Sequence, residues 1–387
     1  MKKITLIRQG LLTVLLMAMV APLVAQDLYL PATTKSKEAK ALYTEAMDAV
    51  YDVEFAKMQK VNKKALEADP NFFMAYFLQS LVGDKASREA ALDKMADYTG
   101  KMNKGEKVLK EGAVKMKADP KYIPIAESRQ LVKLYPKNIF AKTMLAYNLG
   151  GNDETRAEAL SILDECAKMS PELASIHNTK GYMHMANKEF DKAKASFDKY
   201  IEMAPDKANP YDSKGDYFMA VKSYKEAAKS YKKAYEVNDE FTMSKKKGKE
   251  AKWMAKREMI ASEVKVQAQQ FVADYNSRDV GKYVKNYYSG PEFCFVVNGE
   301  ALDSYKEFVD RVYKAHDMYT AWNVEILSET VEVPAENIAT VTQIFAYTAT
   351  PKEGDKVELK GSFTSVWRNI DDNWKIVHAI NTNPIKE

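Results

Sequence analysis

The 387-residue chain is predicted to hold two domains of different class, an all-α array of helical hairpins and then an α+β domain with an antiparallel sheet. Three observations predict this. Small, aromatic and proline positions recur every 34 residues through the middle of the chain. After Lys249 the apolar spacing becomes that of one long helix. Beyond residue 320, four β-like segments follow one another with turn residues between them.

The first 25 residues stand outside both domains. Lys2, Lys3 and Arg8 precede the apolar run Leu11–Val20, and small residues lead to Ala25 and Gln26, the pattern of a cleaved secretory leader. The run is short for a membrane span, and no cysteine follows it to carry a lipid. The chain is therefore expected to be periplasmic or secreted, with no stable membrane anchor and a short N-terminal segment at 26–36. The leader also carries much of the charge imbalance. The whole chain has 58 basic and 54 acidic residues, and without those three basic groups its net charge falls from +4 to about +1. No basic block is interleaved with aromatics, so no nucleic-acid partner is expected. Residues 243–250, with Lys245, Lys246, Lys247 and Lys249, read as a solvated linker. The two cysteines, Cys166 and Cys294, fall in different domains at positions suited to small apolar side chains, and are expected to be buried free thiols.

Residues 37–242 carry the repeat. Gly181 and Gly215 are 34 apart, as are Ala159, Ala193 and Ala227, then Leu163, Phe197 and Tyr231, and Pro171 and Pro205. A small residue lets two helices approach, an aromatic fills the gap between hairpins, and proline ends the second helix. NTKGYMHMANKEFDKAKASFDKYIEMAP (178–205) and NPYDSKGDYFMAVKSYKEAAKSYKKAYEVN (209–238) resemble the tetratricopeptide repeat family. Residues 81–107 depart from the pattern, so an irregular helix pair is expected near 85–118. The resemblance implies a concave groove for a protein or peptide partner, lined by Ser175, Asn178, Tyr182 and Met185, then Asn209, Asp212, Asp216 and Met219. Asp212 and Asp216 would repel a C-terminal carboxylate, so that mode of capture is not expected. His177 and His184 are seven apart on one helix, yet occupy positions the family fills with bulky packing residues. With no third ligand at suitable spacing, no metal is expected.

The second domain is expected at 251–387. Trp253, Ile260, Val264, Phe271 and Tyr275 mark a helix over 250–277, Asp279 caps a short one to Tyr287, and Ser304 caps a third to Tyr319. EFCFVVNGE (292–300) reads as a strand and turn. Strands are predicted at 322–333, 337–350, 356–369 and 373–383, in an antiparallel meander. Strict alternation along the last strand puts Trp374, Ile376, His378 and Ile380 on the inner face, and Lys375, Val377, Ala379 and Asn381 on the other.

FVADYNSRD (271–279), VVNGE (296–300) and FTSVWRNIDDNWKIVHAINTNP (363–384) look like the SnoaL-like branch of the nuclear transport factor 2-like superfamily. That resemblance implies a cone, a curved sheet wrapped on helices with a pocket at its open mouth. His378, Trp367, Tyr347 and Tyr275 are the expected walls, around a small hydrophobic ligand. The isomerases of this fold need a tyrosine donor, a protonated aspartate and an aspartate base. Here the first position is Phe271, the base position falls near Phe295, and the fourth strand offers only Glu358. The chain is therefore read as a non-catalytic adaptor without a cofactor. The alternative is a small-molecule lyase, isomerase or hydrolase, with His378 as its candidate base. Relatives commonly pair through the sheet, which implies a homodimer contact at Val377 and Ala379.

Overall fold

A computed structural model describes residues 28–302 and 304–382, and the leader read at 1–25 lies outside them. The chain divides into two compact units at Lys249 and Glu250.

The first unit is an array of antiparallel helical hairpins. Its helices are α1 (Lys37–Tyr51), α2 (Phe55–Ala68), α3 (Phe73–Leu81), α4 (Lys85–Ala96), α5 (Lys104–Ala118), α6 (Ile125–Leu134), α7 (Ile139–Gly150), α8 (Arg156–Met169), α9 (Ser175–Ala186), α10 (Phe190–Met203), α11 (Asn209–Ala220) and α12 (Tyr224–Val237). The repeat has a steric basis. A Cβ on Gly181 would stand 2.6 Å from the Phe197 ring, and one on Gly215 would stand 2.5 Å from the Tyr231 ring. Lys188 and Lys222, also 34 apart, both take φ near +60°, so the turn repeats along with the helices. The helix pair expected near 85–118 is present as α4 and α5, separated by a break at 97–103, after which Asn103 and Glu106 close a capping box that starts α5.

The predicted linker at 243–250 is helical. Helix α13 runs Thr242–Asn276, eight residues earlier than its predicted start, and the division between the units falls inside it. Lysine and alanine are good helix formers and no proline interrupts them. Lys247 is also held by the carboxylates of Asp212 and Asp216, each at 2.9 Å.

The two thiols differ. Cys166 lies on α8 with no exposed surface, and burial pushes its pKa up to about 11. Cys294 is only half-buried, which corrects the expectation for it. A thiolate-directed alkylating reagent at neutral pH should therefore add at most one label to the native protein, at Cys294, and two after unfolding. Mass spectrometry of the labelled protein decides this, and native labelling at Cys166 would show that α8 opens.

The second unit wraps a six-stranded sheet on the rest of α13, a short α14 (Val280–Val284) and α15 (Tyr305–Met318). The strands are β1 (Cys294–Val297), β2 (Glu300–Leu302), β3 (Tyr319–Ala335), β4 (Ile338–Pro351), β5 (Val357–Ile370) and β6 (Asn373–Thr382), in the order β2-β1-β6-β5-β4-β3. The meander β3 to β6 is antiparallel as predicted, but β1 runs parallel to β6, so the sheet is mixed. Asn298-Gly299 and Asp371-Asp372 take positive φ at both positions, the geometry that two-residue hairpins require. The core joins Val264, Phe271, Phe308, Phe363, Trp367 and Ile376 among others, with the Phe271 and Phe363 rings stacked at 5.4 Å.

One irregularity reorders the last strand. Trp367 opposes Ile376 while Val366 opposes His378, which leaves Val377 as a β-bulge. Trp374 and Ile376 pack inward before it, and Ala379 packs inward after it. His378 and Ile380 are thereby turned to the outer face, where Ile380 is 41% exposed. Both predicted faces thus fail at the bulge. Val377 and Ala379, expected to form an outer contact, are buried.

Candidate functional site

An aromatic cavity of about 160 Å³ lies in the second unit, between its helices and the inner face of the sheet. Each wall comes from a different element. Helix α13 delivers Tyr275 one residue before its end, α14 delivers Tyr283, β1 Phe295, α15 Phe308, β3 Trp322 and β4 Tyr347. The aromatic rings brace one another: Tyr275 lies 5.0 Å from Tyr283 and 5.4 Å from Trp322. The Trp322 indole N–H donates to the Tyr275 carbonyl at 2.8 Å, which fixes the wall to the end of the helix.

Few polar groups reach the cavity, and most are engaged. Arg278, in the left-handed region at φ 61°, turns its guanidinium back over Trp322 at 4.8 Å. It donates to the carbonyls of Thr320 and, at 2.7 Å, Tyr319. Asp279 accepts from the Lys282 N–H at 3.1 Å and so caps α14. Arg311 pairs with Glu300 at 2.8 Å. Burial pushes Tyr283 up to about 12, and its hydroxyl bonds that of Tyr287 at 2.9 Å. Burial, then the neighbouring Tyr347 and Tyr283, hold the Tyr275 phenol far above its ordinary value, and burial raises Tyr347 as well. All three phenols therefore stay neutral at physiological pH. Two lining atoms are buried with no hydrogen-bond partner in the protein, the donor Arg278 Nε and the acceptor Asn381 Oδ1.

Of the predicted walls, Tyr275 and Tyr347 line the cavity. Trp367 does not. It is a core residue, with its indole N–H donating to Ser365 Oγ at 2.9 Å. His378 is excluded by the bulge and sits beside Val366 and Cys294 on the outer face. Glu358 is exposed and pairs with Lys356. Sequence reasoning missed Arg278 and Asn381, although both lie within the family-like stretches 271–279 and 363–384. A strict two-residue alternation assigned Asn381 to the outside.

In the first unit the predicted groove residues are tied to the next repeat. Asn178 donates to Asn209 at 3.1 Å, and the Tyr182 hydroxyl to Asp216 at 2.7 Å. Asp212 accepts from Ser244 at 2.6 Å, and Asp216 from Tyr231 at 2.6 Å. Lys247 bridges the two aspartates at 2.9 Å each. Met185 and Met219 are half-buried beside this polar seam. His184 Nδ1 meets the Glu189 carboxylate at 2.7 Å in the turn that follows its helix.

Comparison with known proteins bears on the second unit. The family of SnoaL-like domains matches residues 264–381. A nuclear transport factor 2-like superfamily protein from Salmonella enterica serovar Typhimurium is 17% identical, over 33% of this chain and 94% of that one, with a TM-score of 0.31. A protein of unknown function from Shewanella oneidensis MR-1, also nuclear transport factor 2-like, is 16% identical over 31% and 97%, with a TM-score of 0.26. A third, from Streptomyces avermitilis, is named as a candidate dehydratase of the same family and is 14% identical over 33% and 99%, with a TM-score of 0.30. No curated protein matches.

Proposed function

We propose that this chain is an exported binding protein. Its C-terminal cone holds a small aromatic or aliphatic ligand, and its tetratricopeptide-like array holds a protein segment. The observation that carries the ligand reading is the aromatic cavity with one buried, unpaired acceptor, Asn381 Oδ1. A buried polar atom without a partner is costly, so it favours a ligand that brings a hydroxyl or N–H to that spot. The size supports a molecule near a single substituted ring, since a cavity of about 150 Å³ accommodates benzene. Binding rather than turnover is supported by prior commitments. Asp279 caps a helix, Arg278 serves two carbonyls, and Tyr275 and Tyr347 stay protonated, so none is poised as a base. Export rests on the leader-like residues 1–25.

Trp322 in the wall provides the assay. A panel of phenols and cyclic alcohols should quench its emission saturably, and Trp322→Phe should abolish the quenching. Asn381→Leu should weaken the best binder at least tenfold, about 1.4 kcal/mol, with the circular dichroism spectrum unchanged. Quenching unaffected by Asn381→Leu would refute the assigned acceptor. Turnover of any bound compound would establish the enzyme reading instead.

A further inference from the structure

Residues 28–34 hold to the array in an unusual way. Past Leu28 the segment has no regular secondary structure, yet Tyr29 and Leu30 are part of the array's hydrophobic core. Four successive carbonyls each receive a different side-chain donor. Tyr51 donates to Leu28 at 2.9 Å, Asn138 to Tyr29 at 2.7 Å, Tyr43 to Leu30 at 3.3 Å and Asn103 to Pro31 at 2.8 Å. The Thr33 N–H then donates to Glu106 at 2.7 Å, and the Tyr29 hydroxyl donates to Asp48. Buried irregular backbone has no helix or sheet ladder to satisfy it, and here the side chains of the helices supply the donors.

The two asparagines show how the site is built. Asn103 and Asn138 are the N-caps of α5 and α7, and their Oδ1 atoms accept from Glu106 N–H at 3.0 Å and Ala141 N–H at 2.9 Å. Capping fixes which way each amide points, so each Nδ2 must face the segment. Asn138 and Glu106 are 4% and 1% exposed, so their contacts with the segment are made away from solvent.

We propose that the cleft between α1, α5 and α7 is a peptide-binding site, with residues 28–34 as its resident and exchangeable ligand. It takes an extended segment read mainly through its main-chain carbonyls. Selectivity comes from an aromatic hydroxyl against Asp48 and an aliphatic side chain at the Leu30 position. This rests on the reading that the array holds a protein segment, and it moves the site from the groove of α9 and α11 to a different cleft.

The test uses the full chain with a specific protease site inserted after Thr34 and cut after folding. A fluorescein-labelled peptide of residues 26–34 should bind the cut protein saturably at one site and displace the resident segment. Asn138→Asp in the protein keeps the capping oxygen and loses the donor, so it should weaken binding at least tenfold while leaving the fold intact. Leu30→Asp in the peptide should do the same. A cut protein that unfolds on release still gives an answer, because added peptide should restore its melting transition. Two results overturn the proposal. If the labelled peptide does not bind but a peptide library is captured at α9 and α11, this cleft is wrong and the array reading survives. If no peptide binds anywhere, both fall.

Discussion

Trp367→Ala is expected to destabilise the C-terminal unit by about 3–5 kcal/mol, the range for deleting a large aromatic side chain from a packed core. Trp367 is 1% exposed, sits edge-on to Phe271 at 6.2 Å, and is the largest fully buried side chain. Its loss removes these contacts and also the indole hydrogen bond to the buried Ser365 Oγ, which keeps only its 3.4 Å bond to the Val341 carbonyl. A domain this size has about 5–15 kcal/mol in all, so the variant should sit close to its unfolding threshold. The sequence supplies a clean readout. All four tryptophans, Trp253, Trp322, Trp367 and Trp374, lie beyond Lys249, so indole emission follows the second unit alone. Denaturant titration of the full chain should show the emission transition move to lower concentration. A shift worth under 1 kcal/mol would mean the sheet closes over the gap.

Gly215→Val is expected to destabilise the helical array by about 3 kcal/mol, the upper part of the range for overpacking a tight contact. Valine is a better helix former than glycine by a few tenths of a kcal/mol, so propensity alone predicts a gain. Sterics should win, because a Cβ would stand 2.5 Å from two ring atoms of a buried tyrosine, Tyr231. Gly181→Val against Phe197 should behave alike, and Gly151→Val should not, since nothing lies within 4 Å of its Cβ position. Thermal melts followed by far-ultraviolet circular dichroism compare the three. If Gly215→Val melts like Gly151→Val, the glycines of the repeat owe their place to something other than close approach.

The repeat was legible because its causes are local. Gly181, Phe197 and Pro205 each report a contact within one hairpin, and the chain repeats that contact. The meander was legible for the same reason, through its turns and alternation. The failures come from features with no local signature. Nothing around Val377 announces a bulge, yet that one residue exchanges the inner and outer faces for His378, Ala379 and Asn381. Lys245, Lys246 and Lys249 are exposed as the run of charge implies, but Lys247 read as solvated until a structure supplied Asp212 and Asp216 some 30 residues upstream. The resident peptide of the first cleft was invisible because its donors come from positions as far apart as Tyr43 and Asn138. Of the cavity, Tyr275 and Tyr347 were found, while Asn381 depended on the bulge.

The polar seam between repeats also decides which neighbour each repeat will accept. Arrays of similar units risk joining out of order, since one apolar face resembles the next. Along this seam the partners are never interchangeable. Tyr182 finds Asp216, the residue that holds its own position one repeat later, and the residue one repeat before Tyr182 is Asn148; Asn178 finds Asn209, whose counterpart one repeat back is Ser175. Asp212 and Asp216 in turn meet Ser244 and Lys247, and only there do their charges find a cation. A hairpin that skipped a place, or was lent to a second copy, would bury an aspartate beside a residue that cannot answer it. The apolar positions let these hairpins stack, and the seam gives each one an address.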